Sequence, residues 1–422
     1  MTLKRATAIT FGDAVKAGAP PAFSCMIKPV GSNCNLDCHY CYYIDKSRTV
    51  YDGKSQVMGH ELLEEFTKQY IEANEIPEIT FVWHGGEPLM AGVEFFRRAM
   101  KLQKKYAGGK KIINSLQTNG TLVDAEWSRF FHDNGFLVGI SVDGPRDIHD
   151  AYRVNKAGAP AFDKVIRAVN LFAQHKVEFN TLSVVNNLSE GRGAEVYRFL
   201  KSLGSRFMQF LPVFEFVSAG AEGSKPVIVK PGTPGSYKAP WSVSPQGYGR
   251  FLTDVFDEWI LNDVGSCFVQ TFDMTLAQWV GVKPGMCVYS ETCGDALVVE
   301  HNGDVFSCDH FVYPDFRLGN IEKTSLRELF MSPKQFAFGI NKRNSLPRYC
   351  LRCKYYFACR GECPKHRFMT TETGEENLNA LCEGFKIYFA HVEPYMDEMK
   401  RLLMQKRAPA LVMELARRNR KS

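Results

Sequence analysis

The chain has 422 residues, and at roughly 150 residues per domain that length predicts two or three domains with room for a sizeable core. Apolar residues make up 45% and charged residues 23%, ordinary globular values that exclude a disordered or fibrous chain. A formal charge of +6 is mild, and the basic run Arg417-Arg418-Asn419-Arg420-Lys421 reads as a solvated end, so no nucleic-acid partner is expected.

In chain order, Lys4 and Arg5 come first, but Asp13 and Lys16 break the apolar core that a signal peptide needs. No later run approaches the ~18 apolar residues of a membrane span, so the expected location is the cytoplasm, with no membrane partner. Residues 22–30 read as a strand running into the first cysteines. Strand-like runs recur at 79–83, 112–116, 136–142, 178–185 and 207–213, separated by amphipathic helical stretches near 60–73, 93–106, 124–133, 161–175 and 193–203. Six β/α units in succession predict a parallel sheet with helices outside. Six are short of the eight that close a full barrel, so the expected class is α/β, a partial (β/α)6 TIM-like barrel whose chemistry sits at the C-terminal strand ends.

Residues 215–246 are rich in Pro, Gly and Ser and read as a linker or functional loop. Helical patterns follow near 246–262 and 270–280. After Cys382, Phe385, Tyr388, Phe389 and Val392 recur at helical spacing and are assigned to the core. The domains expected are a barrel over 1–235, a helical linker over 236–286, a cysteine-rich domain over 287–385 and a helical segment over 386–422.

Of the thirteen cysteines, three lie at Cys34, Cys38 and Cys41, eight lie from Cys287 to Cys382, and only Cys25 and Cys267 fall outside these groups. In a cytosolic chain such clustering points to metal or catalysis rather than disulfides. Gly31-Ser-Asn-Cys34-Asn-Leu-Asp-Cys38-His-Tyr-Cys41 spaces three thiolates as CxxxCxxC, which suits an iron–sulfur cluster. Three ligands for four irons leave one iron open to a substrate or cosubstrate. Structural zinc wants four closed ligands, commonly as CxxC pairs, and His39 would reach such a site only awkwardly from between the cysteines.

CxxxCxxC after the first strand of a partial barrel resembles the radical S-adenosylmethionine (SAM) superfamily, and two further marks of that family follow in order. Gly85-Gly86-Glu87-Pro88 follows the second strand, and the resemblance implies that this turn binds the methionine amino group of SAM. Glycines let backbone approach a ligand, and a carboxylate accepts from an ammonium. Ser141 ends the fourth strand in Gly-Ile-Ser-Val-Asp-Gly-Pro, and Arg153 follows in His-Asp-Ala-Tyr-Arg. The resemblance implies that Ser141 contacts the ribose and that Arg153 takes the methionine carboxylate, a group to which guanidinium is well matched. Without that family they would read as a strand-end cap and a surface ion pair. By the same resemblance Tyr40, between two ligands, and Phe214, after the sixth strand, touch the adenine. Gln117-Thr-Asn-Gly120 closes the third strand and lines the same mouth.

Cys293-x9-Gly303-x4-Cys308, then Cys350-x2-Cys353-x5-Cys359-x3-Cys363, with Cys382 beyond, resembles the SPASM domain. That domain holds auxiliary four-iron clusters in radical SAM enzymes that modify peptides. Cys287 adds an eighth thiolate, enough to ligate two clusters fully. The resemblance implies one cluster on Cys287, Cys293, Cys308 and Cys363 and another on Cys350, Cys353, Cys359 and Cys382, making three [4Fe-4S] clusters with SAM as cosubstrate. Zinc ribbons are the alternative, and only the CxxC at 350–353 fits one. With no open iron, electron transfer is the natural role of the auxiliary clusters.

Cys308-Asp309-His-Phe after Gly-Asp-Val-Phe-Ser is similar to the anaerobic sulfatase-maturating enzymes. So are Trp83-His84-Gly85-Gly86-Glu87-Pro88, with His84 where some members carry glutamine, and Gly361-Glu-Cys-Pro364. The likeness covers essentially the whole chain, and in that family the aspartate is the general base. It implies oxidation of a Cys or Ser side chain in a sulfatase to Cα-formylglycine. SAM is cleaved to a 5′-deoxyadenosyl radical, the radical takes a hydrogen from the substrate Cβ, and Asp309 removes the thiol or hydroxyl proton. The remaining electron leaves through the auxiliary clusters. The implied partners are a sulfatase polypeptide carrying a Cys/Ser-x-Pro/Ala-x-Arg motif and an external electron donor such as flavodoxin or ferredoxin.

A radical SAM maturase that crosslinks a ribosomal peptide shares this plan but needs a leader-binding module, and none is evident before the first strand. A non-catalytic iron–sulfur or zinc scaffold would leave the placement of Gly85–Pro88, Ser141 and Arg153 without a reason.

Overall fold

The computed structural model describes Gly18 and residues 22–44, 46, 50–51, 56–219, 226–230 and 232–420. The N-terminal stretch read for a signal peptide (Lys4, Arg5, Asp13, Lys16) and Lys421 of the basic tail lie outside the described residues. Among those residues no helix is long and apolar enough to cross a membrane.

Six strands follow the sequence pattern: β1 Ser24–Lys28, β2 Glu78–Trp83, β3 Lys111–Thr118, β4 Leu137–Ser141, β5 Phe179–Val185 and β6 Phe207–Pro212. Between them lie α1 His60–Ala73, α2 Val93–Tyr106, α3 Ala125–Asp133, α4 Arg146–Tyr152, α5 Phe162–His175 and α6 Gly193–Ser202. Each long helix turns an apolar stripe inward, as Leu63, Phe66 and Tyr70 do on α1 and Val165, Ala168, Val169 and Phe172 do on α5. Capping sets the start of α3, where the Asp124 side chain accepts from the Trp127 N–H. The sequence pattern did not announce α4, because seven residues are too few for a periodicity to register.

Strands β1 to β6 pair parallel in chain order. Residues 215–246, expected to be a linker or loop, instead carry β7 Phe216–Ser218, β8 Val227–Val229 and β9 Tyr237–Lys238, paired as a small antiparallel sheet. Strands this short leave no alternation to read. Helix α7, Pro245–Asn262, then leads to β10, Phe268–Val269, which pairs parallel with β6, and to α8, Gln270–Trp279. Cys267 sits in the turn between α7 and β10, and it is buried.

The cysteine-rich region begins by extending the barrel sheet. β11, Ala296–Glu300, pairs parallel with the free edge of β1 and sets Glu300 opposite Lys28. β12, Asp304–Phe306, and β13, Arg317–Asn320, continue antiparallel, making one sheet of ten strands. Beyond it come α9, Pro333–Asn344, α10, Cys382–Met404, and α11, Val412–Asn419. Helices α10 and α7 touch at Gly384 and Gly249, where a Cβ on either glycine would meet backbone of the other helix. Phe385, Tyr388, Phe389 and Val392 on α10 are all buried in the core.

Candidate active site

The loop after β1 carries Cys34, Cys38 and Cys41, all free thiols. Burial pushes the Cys34 thiol up to about 12, with Glu87 adding to the rise, while donors at its sulfur oppose it. Those donors are the Leu36 N–H at 3.4 Å and the Asn119 amide at 3.7 Å. Burial likewise raises Cys38, which Arg153 lowers and the other two thiols raise again. Three cysteines gathered on one loop, with N–H groups aimed at a sulfur, fit the donor chemistry of an iron–sulfur cluster. Among the described residues no three His, Cys, Asp or Glu side chains converge as a single ion requires.

The turn after β2 is stitched to this loop. The N–H of Gly86 donates to the Gly31 carbonyl at 2.8 Å and that of Glu87 to the Asn33 carbonyl at 2.9 Å. Gly85 has φ +122°, and a Cβ on Gly86 would collide with the Asn33 carbonyl, so both positions demand glycine. Glu87 departs from its expected place on the SAM amino group. Its carboxylate is fully buried and accepts from Leu89 N at 3.1 Å, Thr118 Oγ1 at 2.8 Å and Asn119 N at 2.8 Å. Burial pushes it up to about 7 against those three donors. It therefore ties the end of β2 to the end of β3, with no exposed oxygen turned to the mouth.

Ser141 ends β4 and accepts from the Gln117 amide at 3.1 Å, inside the barrel. Arg153, at the end of α4, is buried rather than a surface ion pair. Its Nε donates to Asp143 Oδ2 at 3.0 Å and its Nη2 to Asp143 Oδ1 at 3.1 Å. The Tyr40 hydroxyl donates to the same carboxylate, and the Arg153 guanidinium lies 5.5 Å from the Tyr40 ring centroid. Tyr40 and Arg153 thus meet at Asp143, two residues past Ser141. Phe214 is placed elsewhere, packed against Phe216 at 6.2 Å and Phe368 at 5.7 Å. Tyr40 shares an apolar cluster with Val213, Val217, Ala239 and Trp241, with Tyr152 packed against it, and the buried Trp241 Nε1 has no hydrogen-bond partner.

Asp309 follows β12 and forms an ion pair with Lys28, the last residue of β1. The Tyr42 hydroxyl donates to its other oxygen. Lys28 is fully buried, with its ammonium 3.3 Å from the Tyr43 ring centroid, and the Tyr43 hydroxyl donates to Glu300. Burial alone would raise the Asp309 carboxyl, but the Lys28 ammonium paired with it outweighs that and holds it well below the usual range. His84 is kept neutral, since burial lowers it to about 4, and its Nδ1 accepts from the Gly85 N–H at 2.8 Å. Sequence reasoning singled out none of Lys28, Tyr42, Asp143 and Trp241. Each depends on a partner distant in the chain.

The eight later thiols fall into two groups. Beyond the rise that burial causes, Cys293 feels Cys287, Cys308 feels Cys363 and Cys287, and Cys363 feels Cys287. The buried ammonium of Lys342 bridges the carbonyls of Cys287, Val288 and Ser290 beside this group. In the other group, burial comes first again; Cys359 then feels Cys382 and Cys350, and Cys382 feels Cys350 and Cys353. Cys350, Cys353, Cys359 and Cys382 line one cavity with Phe385 and Phe389.

The family model of the radical SAM superfamily matches residues 29–200, and that of the iron-sulfur cluster-binding SPASM domain matches residues 287–354. Fold and site together define a radical SAM protein with an auxiliary cluster domain, and such proteins use SAM and [4Fe-4S] clusters. The chain is 48% identical to the serine-type anaerobic sulfatase-maturating enzyme of Bacteroides thetaiotaomicron over 92% of this chain and 94% of that one. It is 36% identical to the cysteine-type enzyme of Clostridium perfringens over 89% and 97%. The structure of native anSMEcpe with bound AdoMet and Cp18Cys peptide matches with a TM-score of 0.78, at 34% identity over 90% of this chain and 99% of that one. This chain belongs to the anaerobic sulfatase-maturating enzymes. Streptococcus suis SuiB bound to S-adenosylmethionine, at 13% identity and a TM-score of 0.56, shares the fold alone.

Proposed function

We propose that this protein oxidises a cysteine or serine side chain of a sulfatase to Cα-formylglycine, with Asp309 as the general base. One observation carries the assignment of the base. The Asp309 carboxylate stands where the end of β1 meets the loop of Cys308, held by Lys28 and Tyr42.

Cys34, Cys38 and Cys41 would hold the cluster with the open iron. Cys287, Cys293, Cys308 and Cys363, and Cys350, Cys353, Cys359 and Cys382, would hold the two closed ones. When bound, the clusters and SAM supply hydrogen-atom abstraction at the substrate Cβ and an acceptor for the electron left behind. Arg153 receives the methionine carboxylate, a planar match for its guanidinium. The backbone carbonyls of the Gly85-Gly86 turn serve the amino group, since an ammonium needs acceptors and Glu87 is engaged inside. Ser141 and Gln117 face the ribose, and Tyr40 faces the adenine. The Phe214 packing speaks against an adenine contact there and favours Trp241, whose indole N–H is unmatched.

Asp309 accepts the thiol or hydroxyl proton; serine then yields the aldehyde directly, and cysteine yields a thioaldehyde that water hydrolyses with release of hydrogen sulfide. Lys28 keeps its carboxylate ionised and ready, and Tyr42 fixes its second oxygen. The substrate segment would be of Cys/Ser-x-Pro/Ala-x-Arg type, and the reductant a small donor such as flavodoxin or ferredoxin. Thirteen free cysteines suit the reducing cytoplasm. The test is anaerobic incubation with SAM, a reductant and Cys-x-Pro-x-Arg and Ser-x-Pro-x-Arg peptides, read by mass spectrometry. Formylglycine in either peptide, with 5′-deoxyadenosine, is expected. Crosslinked peptide, or 5′-deoxyadenosine beside two intact peptides, would overturn the reading.

A further inference from the structure

Asp143 lies two residues beyond the end of β4, and its side chain has no solvent exposure. Four donors from three elements converge on its two oxygens. Arg153 supplies two of them through Nε and Nη2, at 3.0 and 3.1 Å. The Tyr40 hydroxyl, from the cluster loop, supplies the third. The fourth is the N–H of Val184 in β5, at 3.0 Å. A carboxylate saturated in this way has nothing left for a ligand. It can only fix the groups that hold it.

What it fixes is specific. A guanidinium carries five N–H donors in one plane, and a side-on fork onto a carboxylate uses two. Three N–H donors remain, on Nη1 and Nη2, in a plane that the fork already sets. An arginine so held loses little further freedom when an anion binds it. The same carboxylate anchors the hydroxyl of Tyr40, whose ring lies between two cluster cysteines in the chain.

We infer that Asp143 is a positioning residue for SAM, presenting the free edge of Arg153 to the methionine carboxylate and tying that arm to the cluster loop through Tyr40. The inference rests on the reading of Arg153 given above.

The test compares two ligands. SAM and decarboxylated SAM, which lacks the methionine carboxylate, are titrated by calorimetry into the anaerobically reconstituted, unreduced enzyme, so that no turnover occurs. Asp143→Asn keeps the shape but destroys the fork. Its affinity for SAM should fall about tenfold or more, as for loss of a hydrogen bond to a charged group, while decarboxylated SAM changes much less. The preference of the wild-type enzyme for SAM then collapses. Unchanged SAM affinity, or equal losses for both ligands, would overturn the inference, because a purely structural brace would weaken both alike. Should Asp143→Asn not hold its iron, Asp143→Glu, which keeps the charge and displaces the fork, is read by the same criteria. Arg153→Gln separates the two readings. If it loses the preference while the Asp143 variant keeps it, only the role of Asp143 fails. If it keeps the preference, the assignment of Arg153 itself fails.

Discussion

Lys28 and Asp309 stand 281 residues apart in the chain and meet as a buried ion pair. The sheet explains the meeting. β11 lies parallel beside β1 with Glu300 opposite Lys28, and the turn into antiparallel β12 brings the chain back to Cys308 and Asp309. The proposed base is thus held by the barrel although the cysteine-rich region supplies it.

Lys28→Met keeps the side-chain stem under Tyr43 and deletes the charge. Removing one partner of a buried pair destabilises by about 3–5 kcal/mol. Asp309 keeps 16% side-chain exposure, which puts the expected loss at the lower end of that range. Urea unfolding of the reconstituted protein reads it. A loss under about 1 kcal/mol would mean that the pair behaves as a solvated surface contact.

Tyr42→Phe removes the one hydroxyl that donates to the second oxygen of Asp309. A hydrogen bond to a charged group is worth about 1.5–3 kcal/mol, so formylglycine formed per 5′-deoxyadenosine should drop about tenfold or more while iron content holds. An unchanged ratio would show that Lys28 alone positions the carboxylate.

Much of this site was legible because cluster chemistry writes itself into spacing. Cys34, Cys38 and Cys41 must follow one strand closely, whereas the division of the eight later cysteines into two fours came from the family resemblance and not from their spacing. The barrel was legible because β1 to β6 and their long helices keep clear periodicities. What escaped depends on contacts between distant segments. Asp143 sits in view at the end of β4, but its meaning lies in Tyr40, 103 residues earlier. Lys28 reads as the end of a strand until β11 docks beside it. Glu87 was drawn to the ligand by its motif, and only the donors on Leu89, Thr118 and Asn119 reveal its inward turn. Strands of two or three residues, such as β7 to β9, carry no readable pattern at all.

The thiols make a separable prediction. Cys25, buried in β1, and Cys267, buried before β10, stand outside all three thiol groups. Cys25→Ala and Cys267→Ala should keep full iron content at a packing loss on the order of 1 kcal/mol. Loss of about four irons from either would expose a misassigned ligand. Replacing Cys34, Cys38 and Cys41 together by Ala should abolish SAM cleavage and leave the auxiliary clusters in place, as iron analysis and electron paramagnetic resonance would report.

His84 gives a pH signature. Burial lowers it from 6.5 to about 4, so between those values the unfolded chain takes a proton that the folded chain refuses. Stability therefore falls as pH drops through that window, by roughly 2 kcal/mol from this group at pH 5. His84→Gln keeps an acceptor for the Gly85 N–H and cannot titrate. Its stability difference between pH 7 and pH 5 should be smaller than that of the wild type by about that amount, measured by urea unfolding at both values. Equal differences would place the His84 pKa near its ordinary value.

The role of Asp309 is tested most directly by Asp309→Asn, assayed anaerobically with SAM, reductant and substrate peptide. Asparagine keeps the size and cannot take the substrate proton. Formylglycine should fall by ~10²–10⁴-fold, the typical contribution of a general base, while 5′-deoxyadenosine still forms and all clusters are retained. Formylglycine at the wild-type rate would contradict the account and place the base elsewhere.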